Sequence, residues 1–357
     1  MDKLKAVLLV GGLGTRLRPL TNDRPKSIVP VLNRPVLEHT IAYLKQYGIG
    51  EVILTLNYLP EAIQKLFGDG RNSGVRLDYC IEEEPRGTAG AVKNAEQYLR
   101  ESFFVLNGDV FTDMNLTDML AYHRKKKAQA TIALTQVENP SAFGVVETDD
   151  EGRVKRFIEK PPPGTETTNW INAGTYILEP EVLLEIPPGC HYMFEKGLFP
   201  HLLETNKRVY GYKYEGYWLD MGNPGHYHSI NMDMLNAKAN SPLYKAGGNK
   251  PLYNKKKVTV HDTAVIDTPV VIDNGSNIGP GVQLKGSVII GQNCRILDGA
   301  VIENTILWDG VTIGANSHLK GCIIGSHTII NENQTIENSV VTPSQAVPLI
   351  LPQNKRK

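Results

Sequence analysis

Glycines and cations follow the first apolar run of the sequence. The run Gly11-Gly12-Leu13-Gly14-Thr15-Arg16 is followed within a dozen residues by Arg24-Pro25-Lys26. Glycines allow the backbone to turn tightly and to aim bare N–H groups at an anion, as loops that hold phosphates do. Cations at this density beside exposed amides repel one another unless an anion lies between them, so a polyphosphate is the indicated ligand.

The standard phosphate motifs do not match this run, and a simpler interpretation stays open. Leu17 occupies the third glycine position of a dinucleotide GxGxxG motif, and no GK[ST] of a P-loop follows. A strand-to-helix turn without any ligand would also use glycines. Solvated surface charge would account for Arg18 and Arg24, whereas a functional role is favoured for Arg16 and Lys26.

Two aspartates directly follow predicted strands. Asp109 ends the run Phe-Phe-Val-Leu-Asn-Gly-Asp, and Asp220 follows Tyr-Trp-Leu. A carboxylate after an almost wholly apolar strand is poorly explained by folding alone. Because Mg²⁺ takes one or two carboxylates and lets phosphates supply further oxygens, we expect both aspartates to be its ligands. An ordinary β-turn residue is an equal alternative for Asp220.

The elements that must position these residues alternate between strand and helix patterns over the first 140 residues. Short β-rich runs fall at 4–10, 51–56, 75–81, 103–109 and 130–137, and helical patterns fall at 36–47, 60–67, 88–99 and 116–126. This alternation predicts an α/β domain with a doubly wound, mostly parallel, Rossmann-like sheet. Ligands of such sheets bind at the carboxyl ends of the strands.

The pattern changes after residue 143. A hairpin is predicted from 143–148 and 153–158, further strands at 171–178 and 208–219, and helical stretches at 180–184, 193–203 and 226–238. We expect these elements to extend the same sheet and to cap its ligand-binding edge. His226 and His228, two residues apart, are expected to be surface histidines.

An internal repeat occupies the last third of the chain, after a linker rich in Gly, Pro, Asn and Lys. Aliphatic residues recur every sixth position, with two slips of one residue, at Val260, Ile266, Ile272, Ile278, Leu284, Ile290, Ile296, Ile302, Leu307, Ile313, Leu319, Ile324, Ile330 and Ile336. This period predicts a left-handed hexapeptide-repeat β-helix. The expected divisions are a catalytic domain at 1–238, a linker at 239–257, the β-helix at 258–342 and a tail at 343–357.

Composition excludes several classes of protein. Lys and Arg total 38 in the 357 residues, and Asp and Glu also total 38, so the formal net charge is zero. The chain therefore lacks the positive electrostatic field on which nucleic-acid binding depends. The four cysteines are scattered without a CxxC pair, which favours reduced thiols in a cytoplasmic protein. No apolar run approaches the roughly 18 residues of a membrane span, so neither nucleic acid nor membrane is an expected partner.

The motifs, taken in order, resemble the signature of nucleoside-diphosphate-sugar pyrophosphorylases, the sugar-1-phosphate nucleotidylyltransferases. The matching segments are GGLGTRLRPLT, PKS, VLNRPVLEH, EEEPRGTAGAV, LNGDV, FGVV, FIEKP, INAGTYIL, FEKGLFPHLL and YWLDMG. They cover nearly all of residues 1–235, and a hexapeptide tail is a common companion in this family. One departure is Gly197 in EKGLFP, where an acidic residue is usual.

The resemblance implies a reaction and a role for each matched residue. A sugar 1-phosphate oxygen attacks the α-phosphorus of a nucleoside triphosphate, and pyrophosphate leaves. Arg16 and Lys26 would stabilise charge, and Mg²⁺ would be the cofactor held by Asp109 and Asp220. The remaining implied contacts are Gly11, Gly12, Gly14 and Thr15 with the nucleotide phosphates, Gly144, Glu159 and Asn172 with the sugar, and Lys160 with its phosphate.

The base-binding loop indicates which nucleotide is used. Family members that bind uracil or thymine have Gln where this chain, aligned through Gly87, has Glu82. A carboxylate accepts from two donors of guanine, but in uracil it would meet carbonyl oxygens, which is costly in a dry pocket. GTP is therefore favoured. EEEPRGTAG, NAG and EKGLFP resemble the segments of family members that use mannose 1-phosphate, and this resemblance implies that sugar. A solvated loop face is the alternative for the acidic trio at 82–84.

Three other functions remain open from the sequence. The first is a uridylyl or thymidylyl transfer to glucose 1-phosphate by the same kind of enzyme. The second is a non-catalytic regulatory subunit, which the presence of Arg16, Lys26, Asp109 and Asp220 disfavours. The third is acyl transfer by the β-helix, for which His318 and His327 are available but no long inserted loop is. We expect the flat faces of the β-helix to mediate contacts in a homo-oligomer.

Overall fold

A computed structural model describes residues 4–244 and 257–352 of the chain. Most of the predicted linker and the chain end at 353–357 lie outside the described residues. The described residues form two compact units, the first comprising 4–13 and 40–218 and the second comprising 14–39, 219–244 and 257–352.

The strands and helices before the linker are short and follow one another closely. The strands are β1 (Lys5–Leu9), β2 (Pro30–Val31), β3 (Arg34–Pro35), β4 (Glu51–Leu56), β5 (Arg76–Ile81), β6 (Phe103–Asn107), β7 (Val110–Thr112), β8 (Ala130–Gln136), β9 (Gly144–Thr148), β10 (Val154–Glu159), β11 (Trp170–Leu178), β12 (Val209–Lys213) and β13 (Trp218–Asp220). The helices are α1 (Val36–Gln46), α2 (Pro60–Phe67), α3 (Gly87–Asn94), α4 (Leu116–Lys126), α5 (Phe199–Glu204) and α6 (Pro224–Leu235).

The first unit is built on a nine-stranded sheet. Its main path runs β10-β9-β11-β6-β1-β4-β5, and β8 pairs with both β11 and β12. The neighbours β6, β1, β4 and β5 are parallel, whereas β11 runs antiparallel to β6. The predicted α/β sheet is confirmed, and the hairpin β9–β10 extends the same sheet, as expected.

The topology brings candidate residues of the first unit to one edge of this sheet. The carboxyl ends of β1, β5 and β6 share an edge because these strands are parallel. Since β11 is antiparallel, its amino end, where Asn172 lies, reaches that same edge. The central strands carry nearly continuous apolar side chains, which is typical of a sheet covered on both faces.

Local chemistry explains where the helices begin and end. The side chain of Asn115 accepts hydrogen bonds from the backbone N–H groups of Thr117 and Asp118, which caps α4, and Lys127 ends the helix in a left-handed conformation. The side chain of Asn223 caps α6 in the same way, with Pro224 at its first position.

Several predicted boundaries differ from the observed ones. The helix predicted at 88–99 ends at Asn94 and is followed by a 3₁₀ turn at Glu96–Tyr98, and the strand predicted at 208–219 divides into β12 and β13. The helix predicted at 193–203 begins as a π-helical turn, Phe194–Leu198, before α5. Tertiary contacts set these ends, because the local patterns run on past them.

The second unit contains the β-helix. Its strands are β14 (Thr259–Val260), β15 (Val265–Ile266), β16 (Val270–Ile272), β17 (Asn277–Ile278), β18 (Gln283–Lys285), β19 (Val288–Ile290), β20 (Arg295–Ile296), β21 (Val301–Glu303), β22 (Ile306–Leu307), β23 (Thr312–Ile313), β24 (His318–Lys320), β25 (Ile323–Ile324), β26 (Ile329–Ile330), β27 (Thr335–Glu337), β28 (Ser339–Thr342) and β29 (Gln345–Pro348). They form three parallel stacks of short strands, with β29 antiparallel to β28 at the end of one stack.

The six-residue period predicts the core of this β-helix correctly. Every aliphatic residue of the repeat lies in one of the strands, and equivalent residues stack in register, as Ile278, Ile296 and Ile313 do. Those three side chains are at most 1% exposed. The two slips shorten the later coils by one residue without breaking the stacks.

Left-handed residues form the corners of the coils. One column of corners contains Gly275, Asn293, Gly310 and His327, all with φ between 56° and 78°. Glycine and asparagine adopt this conformation at the lowest steric cost, which explains why they crowd the positions between the aliphatic residues. His327, one of the two histidines considered for acyl transfer, is such a corner residue, and His318 lies exposed in β24.

The part of the glycine–cation run that belongs to the second unit, from Gly14 onward, is anchored within that unit. The hydroxyl of Tyr227 in α6 donates to the carbonyl oxygen of Pro30 and accepts from Nε1 of Trp308 in the β-helix. The guanidinium of Arg24 lies 4.8 Å from the centre of the Trp308 ring.

Among the described helices, none combines the length and apolar character that crossing a bilayer demands.

Candidate active site

Glu82 lies directly after β5 and is buried. Only 7% of the residue is exposed, whereas its neighbours Glu83 and Glu84 are exposed to solvent. The amide of Asn57 donates to its carbonyl oxygen at 3.0 Å, and the backbone N–H of Arg86 lies 3.4 Å from Oε2. Oε1 is buried and has no hydrogen-bond partner among the described residues. The solvated-face interpretation is therefore wrong for Glu82 and holds for the other two.

The buried position of Glu82 changes its acidity. Burial raises the pKa of its carboxyl group, and the backbone N–H and charge of Arg86 oppose this effect. A buried acceptor without a donor costs free energy, so such an atom in a native fold points to a missing partner. A ligand that donates hydrogen bonds would supply it.

Gly87 begins helix α3 in a conformation that a side chain would not tolerate. Its φ is 71°, and a Cβ atom there would lie 2.7 Å from the carbonyl oxygen of Tyr192. The family glycine is thus required by close backbone packing in this chain.

Gly197 has a similar explanation, because a Cβ atom there would lie 2.7 Å from the ring of Tyr192. The usual acidic residue has no room while Tyr192 holds this place.

The carboxyl ends of β1 and β6 lie side by side in the first unit. The backbone N–H of Gly108 donates to the carbonyl oxygen of Leu9, and a Cβ atom at Gly108 would lie 2.3 Å from Val10. Gly11 and Gly12 follow β1, and Asp109 follows β6, so the structure brings these three predicted residues to one edge.

The predicted metal ligands belong to different units. Asp109 lies in the first unit and Asp220 in the second. Among residues 4–244 and 257–352, no group of three or more His, Cys, Asp or Glu side chains could hold a metal ion. A carboxylate oxygen after a strand is nevertheless the donor type that Mg²⁺ takes, and one or two carboxylates suffice when phosphates complete its ligands.

The residues expected to contact the sugar and its phosphate gather around the hairpin β9–β10 and the start of β11. Gly144 pairs with Glu159 across the hairpin, and a Cβ atom at Gly144 would lie 3.0 Å from Oε2 of Glu159. Lys160 adopts a left-handed φ of 48°, and its Nζ lies 3.7 Å from Oε1 of Glu159. We refer to Gly144, Glu159, Lys160 and Asn172 as the predicted sugar subsite.

Asn172 is fixed by two hydrogen bonds at an irregularity in β11. Its Oδ1 accepts from the backbone N–H of Gly174 at 3.0 Å, and its Nδ2 donates to the hydroxyl of Tyr176 at 2.9 Å. The register with β8 shifts between Asn172 and Tyr176, which marks a bulge. Bulges near a site re-aim side chains, and here the amide is held in one orientation.

From Gly14 onward the glycine–cation loop belongs to the second unit and folds tightly. Gly14 has a φ of 62°, and a Cβ atom there would lie 3.1 Å from Cγ2 of Thr21 and 3.2 Å from Cβ of Lys26. The hydroxyl of Thr21 donates to the carbonyl oxygen of Gly14 at 2.8 Å. Thr15 and Arg16 form the 3₁₀ turn that follows, and both are exposed. The loop therefore places Lys26 directly beside its glycine.

Arg16 and Asp220 meet at Gly222 within the second unit. A Cβ atom at Gly222 would lie 2.8 Å from Oδ2 of Asp220 and 3.6 Å from Nη1 of Arg16. The ring of His226 donates through Nδ1 to the carbonyl oxygen of Asp220 at 2.8 Å. The structure thus groups one predicted catalytic cation with one predicted metal ligand.

Two expectations about surface residues are wrong. His228 is 5% exposed, and its Nε2 bonds to the carbonyl oxygen of Asn304 at 2.8 Å, so it is a packing residue of the second unit. Burial lowers the pKa of His228. Arg24 is half-buried on Trp308 and is paired with Asp23, whereas Arg18 is exposed, as a solvated charge would be.

Three residues near the predicted sugar subsite were not singled out from the sequence. Thr88 and Glu195 hydrogen-bond to one another at 3.2 Å, and Tyr176 is the buried residue that Asn172 contacts. All three fall inside segments that carry the family resemblance. That position was the only available signal, because their partners are distant in sequence.

Comparison with known proteins assigns the family. A model described as "Nucleotidyl transferase" matches residues 5–237, and one described as "EIF2B subunit epsilon LbH domain" matches residues 249–348. The chain belongs to the nucleotidyl transferase family, which confirms the resemblance carried by its motifs. Enzymes of this family generally use a divalent metal.

Curated relatives match over most of their length. A mannose-1-phosphate guanylyltransferase of Mycobacterium tuberculosis is 38% identical, with 90% of this chain and 83% of that protein covered. A mannose-1-phosphate guanylyltransferase catalytic subunit beta of Dictyostelium discoideum is also 38% identical, covering 95% and 90%. A UTP–glucose-1-phosphate uridylyltransferase of Synechocystis is 32% identical, covering 88% and 86%.

A solved structure is similar in fold to about two thirds of this chain. HddC from Yersinia pseudotuberculosis, complexed with GMP-PN, is 29% identical with a TM-score of 0.56. The match covers 64% of this chain and 98% of that one.

Proposed function

We propose that this enzyme transfers a guanylyl group from GTP to mannose 1-phosphate and so produces GDP-mannose and pyrophosphate. A phosphate oxygen of the sugar phosphate attacks the α-phosphorus of GTP, and the bond from that phosphorus to the bridging oxygen of the β-phosphate breaks. The electron pair leaves with pyrophosphate. The relatives named mannose-1-phosphate guanylyltransferase support this substrate pair.

The observation that carries the choice of GTP is the buried Glu82. Its Oε1 lacks a donor among the described residues, and guanine offers two donors, N1–H and the exocyclic amino group, on one edge. Uracil and thymine offer one imide N–H flanked by carbonyl oxygens, which would face the carboxylate. A buried carboxylate therefore selects for guanine and against these bases.

The remaining roles follow the family resemblance. Gly11, Gly12, Gly14 and Thr15 contact the triphosphate, and Arg16 and Lys26 neutralise the charge that develops at the α-phosphate. Lys160 binds the phosphate of the sugar, and Glu159, Asn172 and the backbone at Gly144 bind its hydroxyls. Positioning two anions in line is most of the catalytic task, because phosphoryl transfer needs little covalent chemistry from the protein.

The divalent metal is proposed to be Mg²⁺, with Asp109 and Asp220 as its ligands. When bound, it would neutralise phosphate charge and favour departure of pyrophosphate. The homo-oligomer and the cytoplasmic location expected from the sequence also stay proposals. All four cysteines are free thiols, three of them buried, which is compatible with a reducing compartment.

A matrix of substrates tests the proposal. The purified full chain with Mg²⁺ is assayed for pyrophosphate release with ATP, CTP, GTP, UTP or dTTP against mannose, glucose and N-acetylglucosamine 1-phosphates. We expect the highest kcat/KM for GTP with mannose 1-phosphate. A maximum at UTP or dTTP with glucose 1-phosphate would instead support the uridylyl or thymidylyl alternative, for which the Synechocystis relative is the precedent. No release with any pair would support a non-catalytic subunit.

A substitution of Glu82 tests the proposed contact with the guanine base directly. Glu82→Gln should lower kcat/KM for GTP by roughly tenfold to a hundredfold, because a hydrogen bond to a charged group is lost, and should narrow the preference over UTP. Glu83→Gln, at the exposed neighbouring position, is the matched control and should behave as the wild type. Unchanged nucleotide preference in Glu82→Gln would contradict the assignment of the base pocket.

A further inference from the structure

The loop between Asp220 and helix α6 is closed by two hydrogen bonds of the second unit. The side chain of Asn223 accepts from the backbone N–H of His226 at 2.9 Å, and the ring of His226 donates through Nδ1 to the carbonyl oxygen of Asp220 at 2.8 Å. A carbonyl oxygen can only accept, so Nδ1 carries the proton in this bond. The first turn of α6 is thus tied back to the residue at which β13 ends.

The same loop folds around the carboxylate of Asp220. A Cβ atom at Gly222 would lie 2.8 Å from Oδ2 of Asp220 and 3.6 Å from Nη1 of Arg16. Met221, which precedes this glycine, is fully buried. A side chain at Gly222 would therefore push against the carboxylate, and the glycine leaves the carboxylate its place beside the guanidinium.

The start of α6 is also fixed against the end of the β-helix, within the same unit. After β29 the N–H of Leu349 donates to the carbonyl oxygen of Asn338 at 2.6 Å, and Leu349 is 5% exposed. A Cβ atom at Gly225 would overlap with the carbonyl oxygen of Ile350, the next residue. The backbone beside His226 is thus in direct contact with a packed segment, which restricts the movement of its ring.

The bond from His226 restricts the direction of the Asp220 side chain. The carbonyl carbon and Cβ of Asp220 are both bonded to its Cα, so a carbonyl group that is held in place limits where the side chain points. A ligand that is already oriented loses less conformational freedom when an ion binds. Replacing a group that orients a metal ligand commonly lowers metal affinity by roughly tenfold to a hundredfold.

We propose that His226 is a positioning residue for Asp220, and that its Nδ1–H holds the backbone of this residue so that the carboxylate is presented to the divalent ion. This inference rests on the proposed function, in which Asp220 is a ligand of Mg²⁺. It adds a residue that touches neither the ion nor a substrate. The role requires a donor at the place of Nδ1 and does not require a charge on the ring.

Amide side chains separate the donor from the bulk of the ring. The amide nitrogen of asparagine reaches the place of Nδ1, whereas that of glutamine reaches the place of Nε2. His226→Asn should therefore keep the bond to the carbonyl oxygen of Asp220. His226→Gln and His226→Ala should lose it, and the glutamine variant loses it without leaving a large cavity.

The readout is metal binding in the absence of turnover. Mn²⁺, which suits the same carboxylate ligands as Mg²⁺, is titrated into the full chain with GTP and without sugar phosphate, and the relaxation rate of water protons reports its binding. His226→Gln and His226→Ala should raise the Kd of Mn²⁺ roughly tenfold, whereas His226→Asn should stay within about twofold of the wild type. His318→Ala, at an exposed position of β24, is the matched control and should bind Mn²⁺ as the wild type does.

Steady-state kinetics give a second readout of the same effect. The Mg²⁺ concentration that gives half of the maximal rate should rise in His226→Gln by the same factor as the Kd of Mn²⁺. The KM for mannose 1-phosphate should not change. A merely structural histidine would lower thermal stability in all three variants without changing Mn²⁺ binding, and that result would overturn the proposal. Equal weakening of Mn²⁺ binding in His226→Asn and His226→Gln would also contradict it.

Asp220→Asn separates this inference from the proposed function. If the wild type makes GDP-mannose and Asp220→Asn weakens Mn²⁺ binding while His226→Gln does not, the role of His226 is wrong and the proposed function stands. If Asp220→Asn binds Mn²⁺ as the wild type does, the metal ligand and its positioning residue are both refuted. If the wild type releases no pyrophosphate with GTP and mannose 1-phosphate, the proposed function itself fails.

Discussion

The β-helix and the group formed by Thr88, Phe194 and Glu195, here named the Thr88 cluster, are stabilised in opposite ways. In the β-helix, equivalent aliphatic side chains stack in layers, so each contact resembles the one above and below it. In the Thr88 cluster, each polar atom has one named partner from another segment. Volume and shape specify the first region, and donor–acceptor matching specifies the second. Substitutions in the first region should therefore change the free energy of unfolding, and substitutions in polar regions of the second kind should change the kinetic constants.

The largest expected effect on activity comes from a substitution in the glycine–cation loop. Lys26→Ala should reduce pyrophosphate release from GTP and mannose 1-phosphate by about a hundredfold to a thousandfold, because one preorganised charge at the transferring phosphoryl group is removed. The free energy of unfolding, measured by urea titration, should change little. Lys285→Ala in β18 is the control for loss of a lysine, and full activity of Lys26→Ala would contradict the account of this loop.

The β-helix core should show the reverse behaviour. Ile296 is 1% exposed and stacks between Ile278 and Ile313. Ile296→Ala should lower the free energy of unfolding by about 3–4 kcal/mol through lost burial and a cavity, and Ile296→Val by about 1 kcal/mol. Urea unfolding followed by circular dichroism measures both, and kcat at 25 °C should be retained. Loss of kcat in a folded Ile296→Val enzyme would break the contrast between the regions.

Buried His39 makes the second unit sensitive to acid. Its ring bonds to the carbonyl oxygen of Val31 at 2.9 Å and to the hydroxyl of Ser241 at 2.8 Å, and burial lowers its pKa from 6.5 to about 4. The contribution to stability is complete above pH 6.5. It is lost as the pH falls from 6.5 to 4, because only the unfolded chain takes up the proton there, and it totals at most about 3 kcal/mol.

The comparison with His39→Asn isolates this contribution. Urea titrations at pH 7, 5.5 and 4.5 should show a smaller loss of stability on acidification in the variant than in the wild type. His318→Asn, at an exposed position of β24, should keep the wild-type pH dependence. Parallel pH profiles for the wild type and His39→Asn would refute this role.

The smallest effect concerns the corners of the coils. Gly275 has a φ of 78°, and a Cβ atom there would lie 2.1 Å from Oδ1 of Asn293. Gly275→Ala should cost about 1–2 kcal/mol, the penalty of a left-handed non-glycine residue, measured as a shift of the urea midpoint. Asn293→Gly, at the next corner of the same column, should be nearly neutral. Equal destabilisation by both changes would show that the corner conformation is not what limits the substitution.

The sequence predicts the repetitive region almost completely and the polar region only in part. The period of six placed Ile296 and its equivalents in the core because each coil repeats the environment of the last. Glu82 could be identified through the chemistry of one base. Glu195 could not, because its partner Thr88 is 107 positions away, and no local pattern records such a pairing.

The same limit explains the error at His228. Its two-residue spacing from His226 indicated surface histidines, yet its partner, the carbonyl oxygen of Asn304, lies 76 positions further along the chain. Helix and strand periods describe which face of an element is apolar. They carry no information about a polar side chain that is buried because a distant backbone group satisfies it.

The reversed strand β29 has a consequence for the assembly of the β-helix with other copies. Parallel coils present open edges, and an unpaired edge is a template on which a second β-helix placed end to end would continue the stacks. On one of the three faces, β29 already fills the layer that the next coil would take, and it runs in the wrong direction for a parallel neighbour. This short return of the chain therefore covers the parallel edge of β28, and a further coil could not pair with that strand on this face.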